Sequence, residues 1–364
     1  MNSPLLANPG AVAASGADAG VAAHYGDPVA EQRALERGIG VVDLSHFGVL
    51  CVSGTDRLSW LNSLSSQDLR QLPVGVSTEL LLLDPQGRIA HRAGVVDDGT
   101  VTWLITEGAT AQPMADFLDS MRFMLDVQVR VAAETAVLGT QAAGPQLRLP
   151  DGSEPITWSD PWPGLARNST AYGPTTGHPG SAVAMVLWLV PRGDLGEVVD
   201  AAKAAGARMA GTWAWEALRV ASWRPRLATE VDERAIPHEL DWLRTAVHLE
   251  KGCYRGQETV ARVFNLGKPP RRLVAVHLDG SEHELPEPGA PVHLGDREVG
   301  RLTSVARHHE LGPIGLALIK RSVDPEVDLL VDGIAASQEV IVSPAGVGTG
   351  RPEPIEGIRR RRSG

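Results

Sequence analysis

The chain predicts an α+β fold followed by a small all-β, barrel-like domain, and three observations carry that expectation. Ahead of Pro269, stretches of helical periodicity alternate with short strand-like runs. Tight turns such as Asp84-Pro85-Gln86-Gly87 and Asp97-Asp98-Gly99 join the strand-like runs, as in a meandering antiparallel sheet. Downstream of Pro269-Pro270 the texture changes to short strands with turns at Leu294-Gly295-Asp296 and Val331-Asp332-Gly333. A length of 364 residues exceeds one usual domain. The expected division is a tail over 1–22, a core of two α+β subdomains over 23–269, a barrel over 270–345 and a basic tail over 346–364.

Taken in order, the Ala/Gly/Ser-rich start lacks the basic and apolar regions of a signal peptide and reads as a floppy tail. Asp27-Pro28 reads as an N-cap followed by a first-turn proline, with the helix ending near Gly38 or Gly40. Val41 to Val52 reads as strand, interrupted at Ser45-His46, and Thr55 is placed to cap a second helix. Leu80–Leu83 and Arg88–Val96 form a hairpin across a type I turn, followed by a strand over Val101–Thr106. A helix through Met114 to Met124 and a strand over Val127–Val131 complete the first unit. The Pro-, Gly- and Trp-rich stretch from Gly144 to Gly180 reads as a long surface excursion. A strand over Ala182–Val190 and helices over Leu195–Ala205 and Trp213–Trp223 follow, the last stopped by Pro225.

Composition narrows the function classes. The chain is 43% hydrophobic and 21% charged, ordinary for a globular protein. A formal charge of −10 argues against broad nucleic-acid binding. No apolar run reaches membrane-spanning length. The two cysteines, Cys51 and Cys253, suit a reducing compartment, read here as cytoplasmic, and cannot supply a four-thiolate iron–sulfur site.

The segment Glu250-Lys251-Gly252-Cys253-Tyr254-Arg255-Gly256-Gln257-Glu258-Thr259 is the most informative. It sets a thiol between Lys251 and Arg255, just before a helix expected to start near Gln257, and both features favour a thiolate. A lone cysteine is also commonly a small buried hydrophobe, so both readings stand at this point. Between Glu250 and Arg272 six basic residues face two acidic ones, an island suited to an anionic small molecule.

The run Lys251 to Glu258 resembles the signature of the YgfZ family of tetrahydrofolate-binding proteins. These proteins are related to the glycine-cleavage aminomethyltransferase and help to maintain iron–sulfur enzymes. Gly40-Val41-Val42-Asp43-Leu44-Ser45-His46, Val52 to Asp56, Glu298 to Ser304 and Ile314 to Ala317 are similar to the wider superfamily. The resemblance implies an aminomethyltransferase-like folate-binding core with a C-terminal β-barrel, tetrahydrofolate or a derivative as cofactor, and iron–sulfur client enzymes or assembly factors as partners. It implies Cys253 as the functional thiol, with Lys251, Gly252, Tyr254, Gly256, Gln257 and Glu258 as motif positions. Arg262 and Lys268 are expected to attract the glutamate tail of folate.

Two departures argue against transferase chemistry. His91 stands where transferases of the superfamily carry an aspartate that orients the reacting nitrogens, and Ala221 stands where a carboxylate touches the pterin. An imidazole does not supply a fixed negative charge. The alternatives are a folate-dependent one-carbon transferase and a scaffold that binds no folate.

Other candidates read as structural. Cys51 lies in an apolar strand. The adjacent His308 and His309 would point to opposite faces of a strand and read instead as loop residues, and His277, His283 and His293 lack a ligand spacing. Asp43 and His46 read as strand-end hydrogen bonding, the tryptophans as core, and Arg359 to Arg362 as a solvated tail.

Overall fold

Residues 2–22, part of the segment expected to be a tail, are folded onto the body of the protein. The computed structural model describes residues 2–281 and 285–352, so His283 and Arg359 to Arg362 lie outside the described residues. Leu5, Val21, Ala22 and Ala23 are buried, and strand β1 (Val12–Ala13) pairs with β2 (Ala22–His24). Small residues disguised this segment, because its few apolar anchors have no periodicity to reveal them.

Helix α1 (Pro28–Glu36) starts as expected, with the Asp27 carboxylate accepting from the Ala30 amide at 3.0 Å. The run after it crosses between two sheets at Ser45-His46, giving β3 (Gly40–Asp43) and β4 (Gly48–Ser53). Helix α2 (Arg57–Leu64) is not capped by Thr55, whose amide and hydroxyl both bond Asp126 instead. The hairpin of β5 (Thr78–Leu83) and β6 (Ile89–Asp97) continues into β7 (Val101–Thr106). Helix α3 (Gly108–Ser120) starts and ends earlier than expected, and β8 (Gln128–Val131) closes the unit. The antiparallel order β5-β6-β7-β4-β8 packs one face against α2 and α3 around Leu50, Leu61, Leu82, Val95 and Met114. Fully burying each such side chain contributes roughly 1.5–3 kcal/mol.

The second unit comprises β9 (Thr135–Gln141), β10 (Ile156–Ser159), β11 (Met185–Pro191), α4 (Leu195–Ala204), β12 (Arg208–Ala210) and α5 (Thr212–Ala221). Its sheet runs β10-β11-β9-β3-β12, with β12 parallel to β3. The long excursion therefore contains one short strand, β10, and its Trp158 and Trp162 are buried. The two sheets meet face to face through Leu44, Cys51, Ile105, Trp158, Leu187 and Trp215, which places Cys51 in the core.

Short helices α6 (Leu227–Glu230) and α7 (Leu243–Ala246) and helix α8 (Gln257–Asn265) lead to the barrel. Strands β13 (Arg271–Leu278), β14 (Pro291–Leu294), β15 (Arg297–His308), β16 (Gly312–Lys320), β17 (Leu329–Val331) and β18 (Ile334–Val340) close in the order β13-β16-β15-β14-β17-β18. A third apolar cluster, including Leu81, Tyr172, Trp242 and Leu316, joins barrel to core. The start of the expected C-terminal tail is also docked: the Thr349 amide bonds Ala171 O, and Arg351 bonds Gly267 O. No helix among the described residues is long and apolar enough to cross a membrane.

Candidate functional site

The motif loop is fixed at both ends. The Lys251 Nζ is buried and donates to the carbonyls of Asn62, Ser65 and Gln67 at 2.5, 2.5 and 2.7 Å, which locks the loop to the last turn of α2 and the segment after it. Burial pushes this ammonium down to about 8. It also lies 5.2 Å from the Tyr254 ring, whose hydroxyl burial raises well above the usual phenol range. Gly256 has φ +82°, and a Cβ there would lie 2.6 Å from Asp84 O and 2.9 Å from the Gly87 Cα. The loop thus rests on the β5–β6 turn, an approach only glycine permits. Gln257 Nε2 donates to Lys251 O at 3.2 Å. Between these anchors Gly252 and Cys253 are exposed, as are Glu258 and Arg262.

The basic island does not form one surface. Lys251 is spent on carbonyls, Arg271 pairs with Asp232 at 2.6 Å and Glu239 at 2.8 Å, and Arg272 is buried and donates to Val323 O and Gln338. Arg255, Arg262 and Lys268 remain at the surface.

Where the two sheets and α5 converge lies a polar knot that no contiguous motif announces. Glu79, fully buried, accepts from Arg92 at 2.7 Å, from Arg224 at 2.7 Å and from Thr245. Burial alone would raise this carboxyl, but Arg224 and Arg92 outweigh it and hold the group at about 2. Arg224 also holds Asp160 at 3.0 Å. Arg226 spans Glu107 at 2.9 Å, Glu216 at 3.3 Å and Asp18 at 2.7 Å. Arg219 joins Glu216 at 2.9 Å to Glu230 at 3.1 Å. Of these residues Arg92, Glu107, Asp160, Glu216, Arg219, Arg224 and Arg226 line, with Phe47, Trp158, Trp215 and Trp242, a cavity of about 60 Å³; Asp18, Glu79, Glu230 and Thr245 stand behind them. Arg92 lies 5.1 Å over Trp158. The Trp242 Nε1, fully buried, has no hydrogen-bond partner among the described residues. In sequence only Arg224-Pro225-Arg226 hints at this knot; its other members come from separate elements and meet only in the fold.

None of Lys251 to Glu258 lines that cavity. Nor does His91: the residue of β6 that does is Arg92, and strand alternation turns His91 outward. There it lies 5.9 Å from Phe117, a ring that Arg255 covers from 5.9 Å, and burial lowers its pKa. Ala221 lines a different cavity of about 230 Å³ between α5 and the barrel, with Trp223 and His277. Asp43 accepts from the Ser45 amide and hydroxyl, as expected for a strand end, whereas His46 faces Asp18 at 3.2 Å.

His308 and His309 do not point apart. His309 lies beyond the end of β15, so its ring stacks 4.9 Å from His308, and both approach Glu36. Their ligating atoms gather within 4.8 Å. However, His308 Nδ1 accepts from the Glu310 and Leu311 amides, both at 3.2 Å, which leaves the proton on the Nε2 that faces Glu36. A metal-bound imidazole instead donates through its second nitrogen. The trio is arranged as a hydrogen-bonded clamp between α1 and the barrel.

Comparison with known proteins gives this architecture a family. Residues 6–148 match the GCVT N-terminal domain, and residues 271–346 match the glycine cleavage T-protein C-terminal barrel domain. A chloroplastic protein of Arabidopsis thaliana, provisionally named a transferase, is 29% identical over 79% of this chain and 67% of its own length. The aminomethyltransferase of Thermus thermophilus is 30% identical over 77% of this chain and 79% of its own. The crystal structure of the glycine cleavage aminomethyltransferase T from Bartonella henselae covers 93% of this chain, and the chain covers 95% of it, with a TM-score of 0.72. At 17% identity that last likeness is one of fold. The chain therefore belongs to the aminomethyltransferase family built on the glycine cleavage T-protein domains.

Proposed function

We propose that this protein is a YgfZ-type, tetrahydrofolate-binding member of its family that serves iron–sulfur enzymes in the cytoplasm and does not transfer aminomethyl groups. One observation carries the loss of transfer chemistry: each carboxylate lining the central cavity, Glu107, Asp160 and Glu216, is paired to an arginine. The guanidinium groups occupy carboxylate oxygens that a substrate amine would otherwise meet. His91 does not substitute, because it faces Phe117 and not the cavity.

Folate fits the cavity walls in chemistry but not in size. Aromatic faces and carboxylates suit a pterin, and the buried Trp242 Nε1 offers an unpaired donor. A volume of about 60 Å³ is well below the roughly 300–1,000 Å³ of pockets that hold drug-sized ligands. The cavity as it stands is small for folate, and binding requires its walls to move. When bound, tetrahydrofolate would supply a one-carbon carrier; the residues on this chain would hold and shield it. Cys253, exposed on its anchored loop outside the cavity, is suited to contact with a client protein.

The tightness of the cavity favours a second reading, a scaffold whose site is permanently filled by its own side chains. Calorimetric titration with tetrahydrofolate and 5-formyltetrahydrofolate under reducing conditions separates the two. Saturable binding near one site per chain supports the folate reading. Absence of heat with either compound leaves the scaffold.

A further inference from the structure

We propose that residues 14–20, on the N-terminal segment, form a latch that closes the central cavity through the single side chain of Asp18. This inference rests on the folate reading above and adds the element that governs access to the site. Most of the loop is exposed: Ser15, Gly16, Ala17 and Ala19 all face solvent. Asp18 alone turns inward, with its side chain 16% exposed, to meet Arg226 at 2.7 Å and His46 at 3.2 Å.

Arg226 is the wall that matters. It lines the cavity beside Phe47, over whose ring its guanidinium lies at 5.8 Å, and it links Glu107 at the start of α3 to Glu216 on α5. Glu216 in turn also lines an outer groove of about 390 Å³, mostly apolar, between α1, Trp213 and β15. Glu216, which lines both, and Arg226, paired to it at 3.3 Å, thus stand between a small cavity and a groove of ordinary ligand size. If they swing aside, the joined space falls within the range of small-molecule sites.

The loop is built to release. Gly16 and Gly20 flank its inward residue with φ values of +62° and +101°, so the turn can change course at either end. Around Asp18 its backbone bonds are local, from the Asp18 amide to Ser15 O and from Ala19 to Gly16 O, while the ends are tied by the Ala14 amide to Val21 O and by the Ser3 amide to Gly20 O. On both sides the chain is secured independently, by Leu5 before the loop and by Val21 to Ala23 after it. Loss of the Asp18 contacts should therefore free the loop without unfolding the segment.

The test uses the full chain and its D18A variant, with D18N as the near-isosteric companion. Without ligand, hydrogen exchange of amides 14–20 should quicken about tenfold in D18A while exchange in β3 and α5 stays unchanged. Binding of 5-formyltetrahydrofolate, read by calorimetry, should tighten about tenfold in D18A, because a larger fraction of molecules is then open. D18N should shift both in the same direction, by less. Unchanged loop exchange would overturn the latch. Saturable binding of equal affinity in wild type and D18A would overturn the gating role and leave the folate reading intact. Absence of binding by either protein would remove the folate reading and the gating role together.

Discussion

At the scale of single residues, Glu79 organises the interior more than any member of the motif loop. It is fully buried, and its two oxygens accept from Arg92, Arg224 and Thr245. Breaking a buried pair leaves its partners charged and desolvated. Glu79→Gln keeps the volume but takes from Arg92 its carboxylate and leaves Arg224 with Asp160 alone, so a loss of about 3–5 kcal/mol is expected in chemical denaturation. A midpoint within experimental error of wild type would mean that Arg92 and Arg224 find other acceptors. Lys251 illustrates a different economy of charge. Its three carbonyl partners make it a structural staple, and its cationic head is turned away from solvent and from any anionic ligand at the surface.

At the scale of elements, the central question is how the motif loop and α8 seat on the β5–β6 hairpin. Gly256 and Gly87 touch across that contact, each with positive φ, and a Cβ at Gly87 would lie 2.8 Å from the Thr259 Cβ. Gly256→Ala should cost about 2 kcal/mol or more, since it combines an unfavourable φ with a backbone clash. Gly252→Ala is the control: a Cβ there meets nothing within 4 Å, and the change should lie within about 0.5 kcal/mol of neutral. Thermal or denaturant unfolding of the two variants tests this contrast, and equal losses would sink it. If the seat of the loop also governs how Cys253 is presented, alkylation of that thiol should accelerate in Gly256→Ala and not in Gly252→Ala.

At the scale of the whole molecule, buried titratable groups set the response to acid. His178, edge-on to Trp162 and Trp223, and His238, beside Tyr172, are both held at about 4 by burial, against an ordinary value of 6.5. A histidine whose folded pKa is depressed binds fewer protons than it does in the unfolded chain, so stability falls as pH drops from 6.5 towards 4. Glu79 extends the loss at lower pH, between its ordinary 4.5 and about 2. Denaturation midpoints measured from pH 7 to pH 4 should therefore slope downward, and the double variant His178→Gln with His238→Gln should flatten that slope. An unchanged slope would assign the acid response to other groups.

Local chemistry fixed most of the elements: Asp27 capping α1, the Asp84-Pro85-Gln86-Gly87 turn setting the hairpin, and the short strands after Pro270 that close as a barrel. These are short-range effects, written within a few residues of where they act. The wider family could likewise be read from contiguous runs such as Gly40 to His46 and Glu298 to Ser304. Long-range pairing was not legible. Thr55 gave up its cap for Asp126, His309 turned back beside His308 once past the strand end, and a small-residue segment folded because Leu5 and Val21 to Ala23 found a core to enter. The central knot is the clearest case: Asp18, Glu79, Arg92, Glu107, Asp160, Glu216 and Arg226 are scattered through the chain, and each charge is tolerated inside only because the fold delivers its partner. Sequence alone determined the architecture; tertiary structure decided which side chains face the cavity and how little room they leave, because partner and volume are properties of packing and not of any local run.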